Sequence, residues 1–283
     1  MNEPTSHFAD VNGLRIHYLR WGDDGPPVLL SHATGFLAAL WQPIAERLAD
    51  AGYTVYACDA RGHGDSDKPE AIWENYDWHR FAADLQAFLN HLGFPDIPLI
   101  GHSMGAGVGL FVAGHNPGYF SRIVAIEPIV VPPAVQMDES RREQMAAGAR
   151  RRRIVFGSHN EMVEHYRSRP TFMRWPEGTL RLYAETWTFN REDGRVELKC
   201  SGDVEGEVFA SSSTLNIWDT LPGIASPVLV IRGEHTEGFL SMVAQQVSER
   251  VRNGRLVTIP DAGHLVPMER PDVLSNEILA FLA

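Results

Sequence analysis

From residue 28 onward the chain alternates short, wholly apolar runs with longer amphipathic stretches. The apolar runs are Val28-Leu29-Leu30, Thr54 to Cys58, Leu99-Ile100, Ile123-Val124-Ala125-Ile126, Val228-Leu229-Val230-Ile231 and Leu256-Val257-Thr258-Ile259. Short apolar runs without polar alternation predict strands covered on both faces, as in a parallel sheet. Between two of them, Phe81, Leu85, Phe88, Leu89 and Leu92 fall at helical spacing. Asp77 is placed to cap the start of that helix and Gly93 to end it. Trp41, Ile44, Ala45 and Leu48, closed by Gly52, repeat the pattern, and Pro271 opens a last helix with Leu274, Ile278, Phe281 and Leu282 on one stripe. The alternation stops between about residue 129 and residue 222, where Pro132-Pro133, an Arg-rich stretch and scattered aromatics replace the strand signals. The pattern predicts an α/β core over 1–128 and 223–283, interrupted by a mainly helical cap over 129–222.

A chain of 283 residues, 44% hydrophobic, has the length and apolar content for one large α/β domain with an insertion. Lys and Arg number 25 against 36 Asp and Glu, and the net charge of -11 repels phosphate backbones and anionic lipid heads. That balance argues against nucleic acid and membrane partners and leaves a small-molecule substrate, with a homodimer open. Cys58 and Cys200 lie far apart in sequence and imply no disulfide framework, and Cys58 reads as a buried structural thiol. The start MNEPTSHFAD lacks the charged and apolar regions of a signal peptide, and no stretch reaches the roughly 18 apolar residues of a spanning helix, so a soluble cytoplasmic protein is expected. The run Arg150 to Arg153 reads as a solvated helix face; the alternative is a basic rim drawing an anionic substrate into the cap.

The chemistry begins at Gly101-His102-Ser103-Met104-Gly105. A strand, Leu99-Ile100, runs into it, and a helix from Met104 to His115 leaves it. In G-x-S-x-G the turn strains the serine backbone, and glycines two positions to either side let strand and helix approach closely. Ser103 then stands at the positive end of a helix, where the Met104 N–H can bind negative charge on an attacked carbonyl oxygen. Ser103 is the expected nucleophile.

A serine hydroxyl needs a base. Of the 12 histidines, His264 follows the last apolar strand in Asp261-Ala262-Gly263-His264 and reaches the carboxyl edge of the sheet beside Ser103. The third group, an acid that holds the imidazole tautomer, has two candidates. After the strand Val228 to Ile231 the chain reads Arg232-Gly233-Glu234-His235-Thr236-Glu237, with Thr236 where an aspartate is expected and Glu237 one residue late. Ile123 to Ile126, by contrast, run directly into Glu127, and a glutamate ending an apolar strand is costly unless paired. Glu127 is the first choice and Glu237 the second. The loop His32-Ala33-Thr34-Gly35-Phe36 ends another strand and supplies the second oxyanion N–H from Thr34, with Ala33 the alternative and His32 bracing the loop.

These stretches, with Asp59-Ala60-Arg61-Gly62-His63-Gly64-Asp65-Ser66 and Gly263-His264 followed by Glu269 and Pro271, resemble the α/β-hydrolase superfamily over nearly the whole chain outside the cap. The resemblance implies an α/β-hydrolase fold with a mostly parallel central sheet flanked by helices, the cap inserted after the sixth strand, and a structural rather than catalytic His63. Ala33 and Thr236 depart from the commonest pattern. Haloalkane dehalogenases and a fungal mycotoxin lactonase are similar in taking a glutamate after the sixth strand, the place of Glu127. Dehalogenases and epoxide hydrolases use an aspartate nucleophile, so Ser103 argues against both activities.

The expected reaction is therefore cleavage of a carboxylic ester or lactone of a small, largely apolar substrate through an acyl-enzyme, with no cofactor and no metal. A C–C hydrolase or perhydrolase with the same triad, or a ligand receptor with little turnover, uses the same residues. Glu234-His235-Glu237 and His159 to His165 lack metal-ligand spacing. Trp175, Tyr183, Trp187, Phe189 and Trp218 are candidates to line the substrate pocket or to fill the cap's core.

Overall fold

Five of the six apolar runs form buried strands; the sixth, Leu256 to Ile259, lies in a strand at the edge of the sheet and stays partly exposed. The computed structural model describes residues 3–133 and 139–283. Its first half contains strands β1 (Thr5–Val11), β2 (Leu14–Trp21), β3 (Pro27–Ser31), β4 (Thr54–Cys58), β5 (Leu99–His102) and β6 (Ile123–Ile126), with helices α1 (Gln42–Asp50), α2 (Trp73–Tyr76), α3 (Trp78–Leu92) and α4 (Met104–His115). Between β6 and the next core strand come α5 (Glu139–Arg150), β7 (Val155–Phe156), α6 (His159–Arg167), α7 (Glu177–Thr186), β8 (Thr188–Asn190), β9 (Val196–Leu198) and α8 (Gly202–Ala210). The chain closes with β10 (Val228–Gly233), α9 (Gly238–Arg250), β11 (Gly254–Ile259), α10 (Val266–Glu269) and α11 (Pro271–Leu282).

The main sheet has eight strands in the order β1-β2-β4-β3-β5-β6-β10-β11. Only β2 runs antiparallel to its neighbours β1 and β4; the remaining ladders are parallel. Alternate residues of the apolar strands feed opposite layers. Leu29, Leu99, Ile123, Ala125, Val228 and Val230 pack under α3, α4 and α9 through Phe81, Leu85, Val108, Val112, Val243 and Val247. Val28, Leu30, Ile100, Val124, Ile126 and Ile231 pack under α1 and α11 through Ile44, Leu48, Leu274 and Ile278. The predicted ends also hold: the Asp77 side chain accepts from the His79 N–H, and Gly93 turns left-handed after α3.

Two features escaped the periodicity. The hairpin β1–β2, with β1 at the sheet edge, mixes exposed, partly exposed and buried residues and gives no continuous apolar run. The segment between β6 and β10 is largely helical, but β7, β9 and β8 form a small antiparallel sheet of two- and three-residue strands, too short to leave a pattern. Its own core gathers Phe156, Met162, Tyr166, Trp175, Tyr183 and Trp187 around Leu37 and Leu40. Both cysteines are free, and burial pushes each thiol up to about 12. Among the described residues no helix is long and apolar enough to cross a membrane.

Candidate active site

The β5–α4 turn sets the site. Ser103 has φ 54° and ψ -109°, a conformation L residues avoid, and is held there by its N–H to the Ile126 carbonyl (2.9 Å) and by its own carbonyl, which accepts from Gly107 (3.0 Å) and Ile129 (3.3 Å). The motif's glycines are required by contact. A Cβ on Gly101 would lie 2.7 Å from the Ala106 backbone, and one on Gly105 would lie 2.4 Å from the Ser31 carbonyl oxygen.

The structure brings Ser103, His264 and Glu127 into one hydrogen-bonded chain. His264 Nε2 is 3.1 Å from Ser103 Oγ, and His264 Nδ1 is 3.2 Å from Glu127 Oε2. Glu127 is only 1% exposed, with a positive φ of 49° at the end of β6. Its other oxygen, Oε1, accepts from the Gly233 N–H at 2.7 Å and from the Thr236 hydroxyl at 2.6 Å. Buried charge is tolerable when each oxygen has donors. Glu237 is exposed and stands at the N-terminus of α9, without a bond to His264. The departure at Thr236 thereby has a physical account: the side chain after β10 has become a donor to the glutamate after β6. Thr236 and Gly233 were not singled out from the sequence as partners of Glu127. The signal available was a buried-strand glutamate needing donors opposite a loop with Thr236 where an aspartate is expected.

Three buried histidines brace this arrangement. His32 Nδ1 donates to the Ala33 carbonyl (2.8 Å) and its Nε2 accepts from Ala60 N–H (2.9 Å), which fits the expected bracing role. His63 Nδ1 donates to the Arg61 carbonyl, and its Nε2 accepts from Gly35 N–H at 3.0 Å, tying the loop Asp59 to Ser66 to the oxyanion loop without touching Ser103. His102 Nε2 donates to the His264 carbonyl at 2.8 Å. The Gly35 N–H is thus taken, while among the described residues the Thr34 and Met104 N–H groups have no acceptor and remain available for an oxyanion.

Burial keeps all three histidines neutral: His32 is lowered, and His63 and His102 are lowered to about 3. The unfolded chain binds protons at these sites near pH 6.5 and the folded chain does not, so their contribution is complete above that pH and falls as pH drops toward 3. His63 and His102 each cost about 2 kcal/mol of stability at pH 5 by this linkage. The urea midpoint is expected to fall steeply between pH 7 and pH 5; an unchanged midpoint would contradict neutral burial.

Over Ser103 lies a cavity of about 590 Å³, walled by Thr34, Phe36, Trp78, Tyr166, Tyr183 and Trp187 among other residues. Of the five aromatics expected to line it or fill the cap, Tyr183 and Trp187 do both, Trp175 packs in the core, Phe189 is exposed, and Trp218 lies under the Arg250 guanidinium. The basic run is not one solvated face. Arg150 pairs with Glu207 and Arg153 with Glu161 outside, but α5 ends at Arg150 and the chain then turns Arg152 into the cavity wall. Glu234, His235 and Asp261 bring ligand atoms within 4.8 Å of one another but are all exposed; His17, Asp59 and Asp65 do the same, with His17 and Asp59 already bonded to each other at 2.7 Å.

A family model described as alpha/beta hydrolase fold matches residues 26–271. The chain belongs to the α/β-hydrolase family. This α/β hydrolase is 27% identical to a soluble epoxide hydrolase from a Corynebacterium species, over 99% of its own length and 98% of the relative's. It is 24% identical to the bifunctional esterase/perhydrolase DCH of Acinetobacter calcoaceticus, over 98% and 99%. The crystal structure of E-2-(acetamidomethylene)succinate hydrolase has the same fold, with a TM-score of 0.84 at 22% identity and 99% of both chains covered.

Proposed function

We propose that this α/β hydrolase cleaves a carboxylic ester or lactone of a small, largely apolar substrate through an acyl-enzyme on Ser103. The observation that carries the reading is the relay Ser103 Oγ to His264 Nε2 to Glu127 at 3.1 and 3.2 Å beneath an aromatic-walled cavity. Ser103 attacks the carbonyl while His264 takes its proton; Glu127 holds the proton on His264 Nδ1 and balances the imidazolium. The carbonyl oxygen, now negative, is received by the Thr34 and Met104 N–H groups. His264 returns its proton to the leaving alcohol, then draws one from water, which releases the acid and restores Ser103.

The relative named as an epoxide hydrolase does not favour that chemistry here. A serine opening an epoxide leaves an ether on the enzyme, which water has no carbonyl to attack, whereas a serine ester is hydrolysed by the same relay. The relative named as an esterase/perhydrolase agrees with an acyl intermediate. The test is rapid mixing with short-chain 4-nitrophenyl esters, with intact-protein mass read on quenched samples. A saturable release of nitrophenol with an acyl adduct on Ser103 is expected, and binding without turnover or adduct would favour a receptor.

A further inference from the structure

The cavity holds a buried acid that the relay does not use. Residues of α5 and α8, which pack against each other, line the cavity. Arg152, just after α5, meets Glu205 early in α8, and Arg142 near the start of α5 meets Ser213 just after α8. Arg142, Met145, Ala149 and Arg152 from one side and Glu205, Phe209 and Ser212 from the other face the cavity. Glu205 is 8% exposed. Its Oε2 lies 2.5 Å from Arg152 Nη1, and the Arg152 guanidinium is fixed further by the Cys200 carbonyl at 2.9 Å and by the Trp187 ring at 4.6 Å.

The second oxygen, Oε1, has no such partner. Among the described residues no donor reaches it, and Arg152 is the group opposing the upward push that burial gives the Glu205 carboxyl. Oε1 lies against the oxyanion loop, so close that a Cβ on Gly35 would be 2.4 Å from it. With no protein donor on it, a carboxylate oxygen on the wall of a cavity is free to accept a hydrogen bond from what the cavity holds. The charge is already balanced by Arg152, so an ammonium gains little there, and a substrate carboxylate would face Glu205. A neutral donor fits. Gly35 follows Thr34, and one residue step is about 3.8 Å, which sets that donor close to the carbonyl being attacked.

We propose that Glu205 Oε1 reads a neutral hydrogen-bond donor, a hydroxyl or amide N–H, carried by the substrate's acyl chain next to the scissile carbonyl. This rests on the ester-hydrolase reading for its chemistry. Glu205 is a specificity residue in it, and Arg152 positions Glu205 and cancels its charge beside the oxyanion loop.

The test compares three esters, 4-nitrophenyl butanoate, its 3-hydroxy analogue and its 3-methoxy analogue, which offer no group, a donor and an acceptor only. The wild-type kcat/KM is expected to be about tenfold or more higher for the hydroxy ester than for the other two. In Glu205→Gln, of nearly the same shape, Arg152 claims the amide oxygen and the amide NH₂ faces the cavity, so the methoxy ester is expected to overtake the hydroxy ester. A merely structural Glu205 would lower all three rates together, and that result, or equal wild-type rates, overturns the proposal. The same esters are titrated calorimetrically into Ser103→Ala protein with and without Glu205→Gln. If wild type cleaves none of them but the binding order still reverses, the hydrolase reading fails and this one stands; no order in binding sinks it.

Discussion

Ser103→Ala is expected to lower kcat on any ester this enzyme turns over by roughly 10⁴- to 10⁶-fold while leaving its stability close to wild type. The loss is large because the serine oxygen forms the bond to the substrate, and His264 and Glu127 have no proton to manage without it. What survives is the water reaction helped by the Thr34 and Met104 N–H groups. Stability is spared because the strain at φ 54° belongs to the backbone and Cβ, which alanine shares with serine, and the backbone bonds to Ile126, Gly107 and Ile129 are untouched. Steady-state rates beside urea unfolding curves check both halves. A variant that kept even a hundredth of wild-type turnover would place the nucleophile elsewhere.

The second large effect is expected at Glu127. Glu127→Gln changes one oxygen to nitrogen in a pocket whose other bonds are fixed: Gly233 N–H and the Thr236 hydroxyl both donate to Oε1, so the amide oxygen must face them. The amide NH₂ is then left against His264 Nδ1 and forces it to accept. The imidazole proton moves to Nε2, toward Ser103, where the base must be empty to act. The rate should fall about 10³- to 10⁴-fold with little change in KM. Glu237→Ala, at an exposed helix start, should stay within about twofold of wild type. Full activity in Glu127→Gln, or a collapse in Glu237→Ala, would reverse the assignment.

The strands and helices of the core were legible because burial on both faces leaves an unmistakable continuous apolar signal, from Val28 through Ile126 to Ile231. Ser103 and His264 were legible for a local reason, since the elbow is written within five residues and the histidine follows a strand end. The acid was harder. Two loops offer a candidate, and the donors that hold the Glu127 carboxylate, Gly233 N–H and Thr236 Oγ1, become its partners only through the pairing of β6 with β10. Glu205 was invisible for the opposite reason. In Val204-Glu205-Gly206 it reads as an ordinary charge on a helix, and only the approach of α5 turns that position inward.

The location of Glu127 bears on how such a protein can be re-engineered. The chain leaves the main sheet directly after this residue, through Pro128, and rejoins it at β10, whose Gly233 amide grips the same carboxylate. The acid is therefore the last residue of the stem from which the intervening segment grows. Grafting a different roof onto this scaffold to change its substrate would need the upstream junction cut beyond Pro128, with the β10 loop kept from the host. A junction placed before Glu127 would exchange the relay along with the roof.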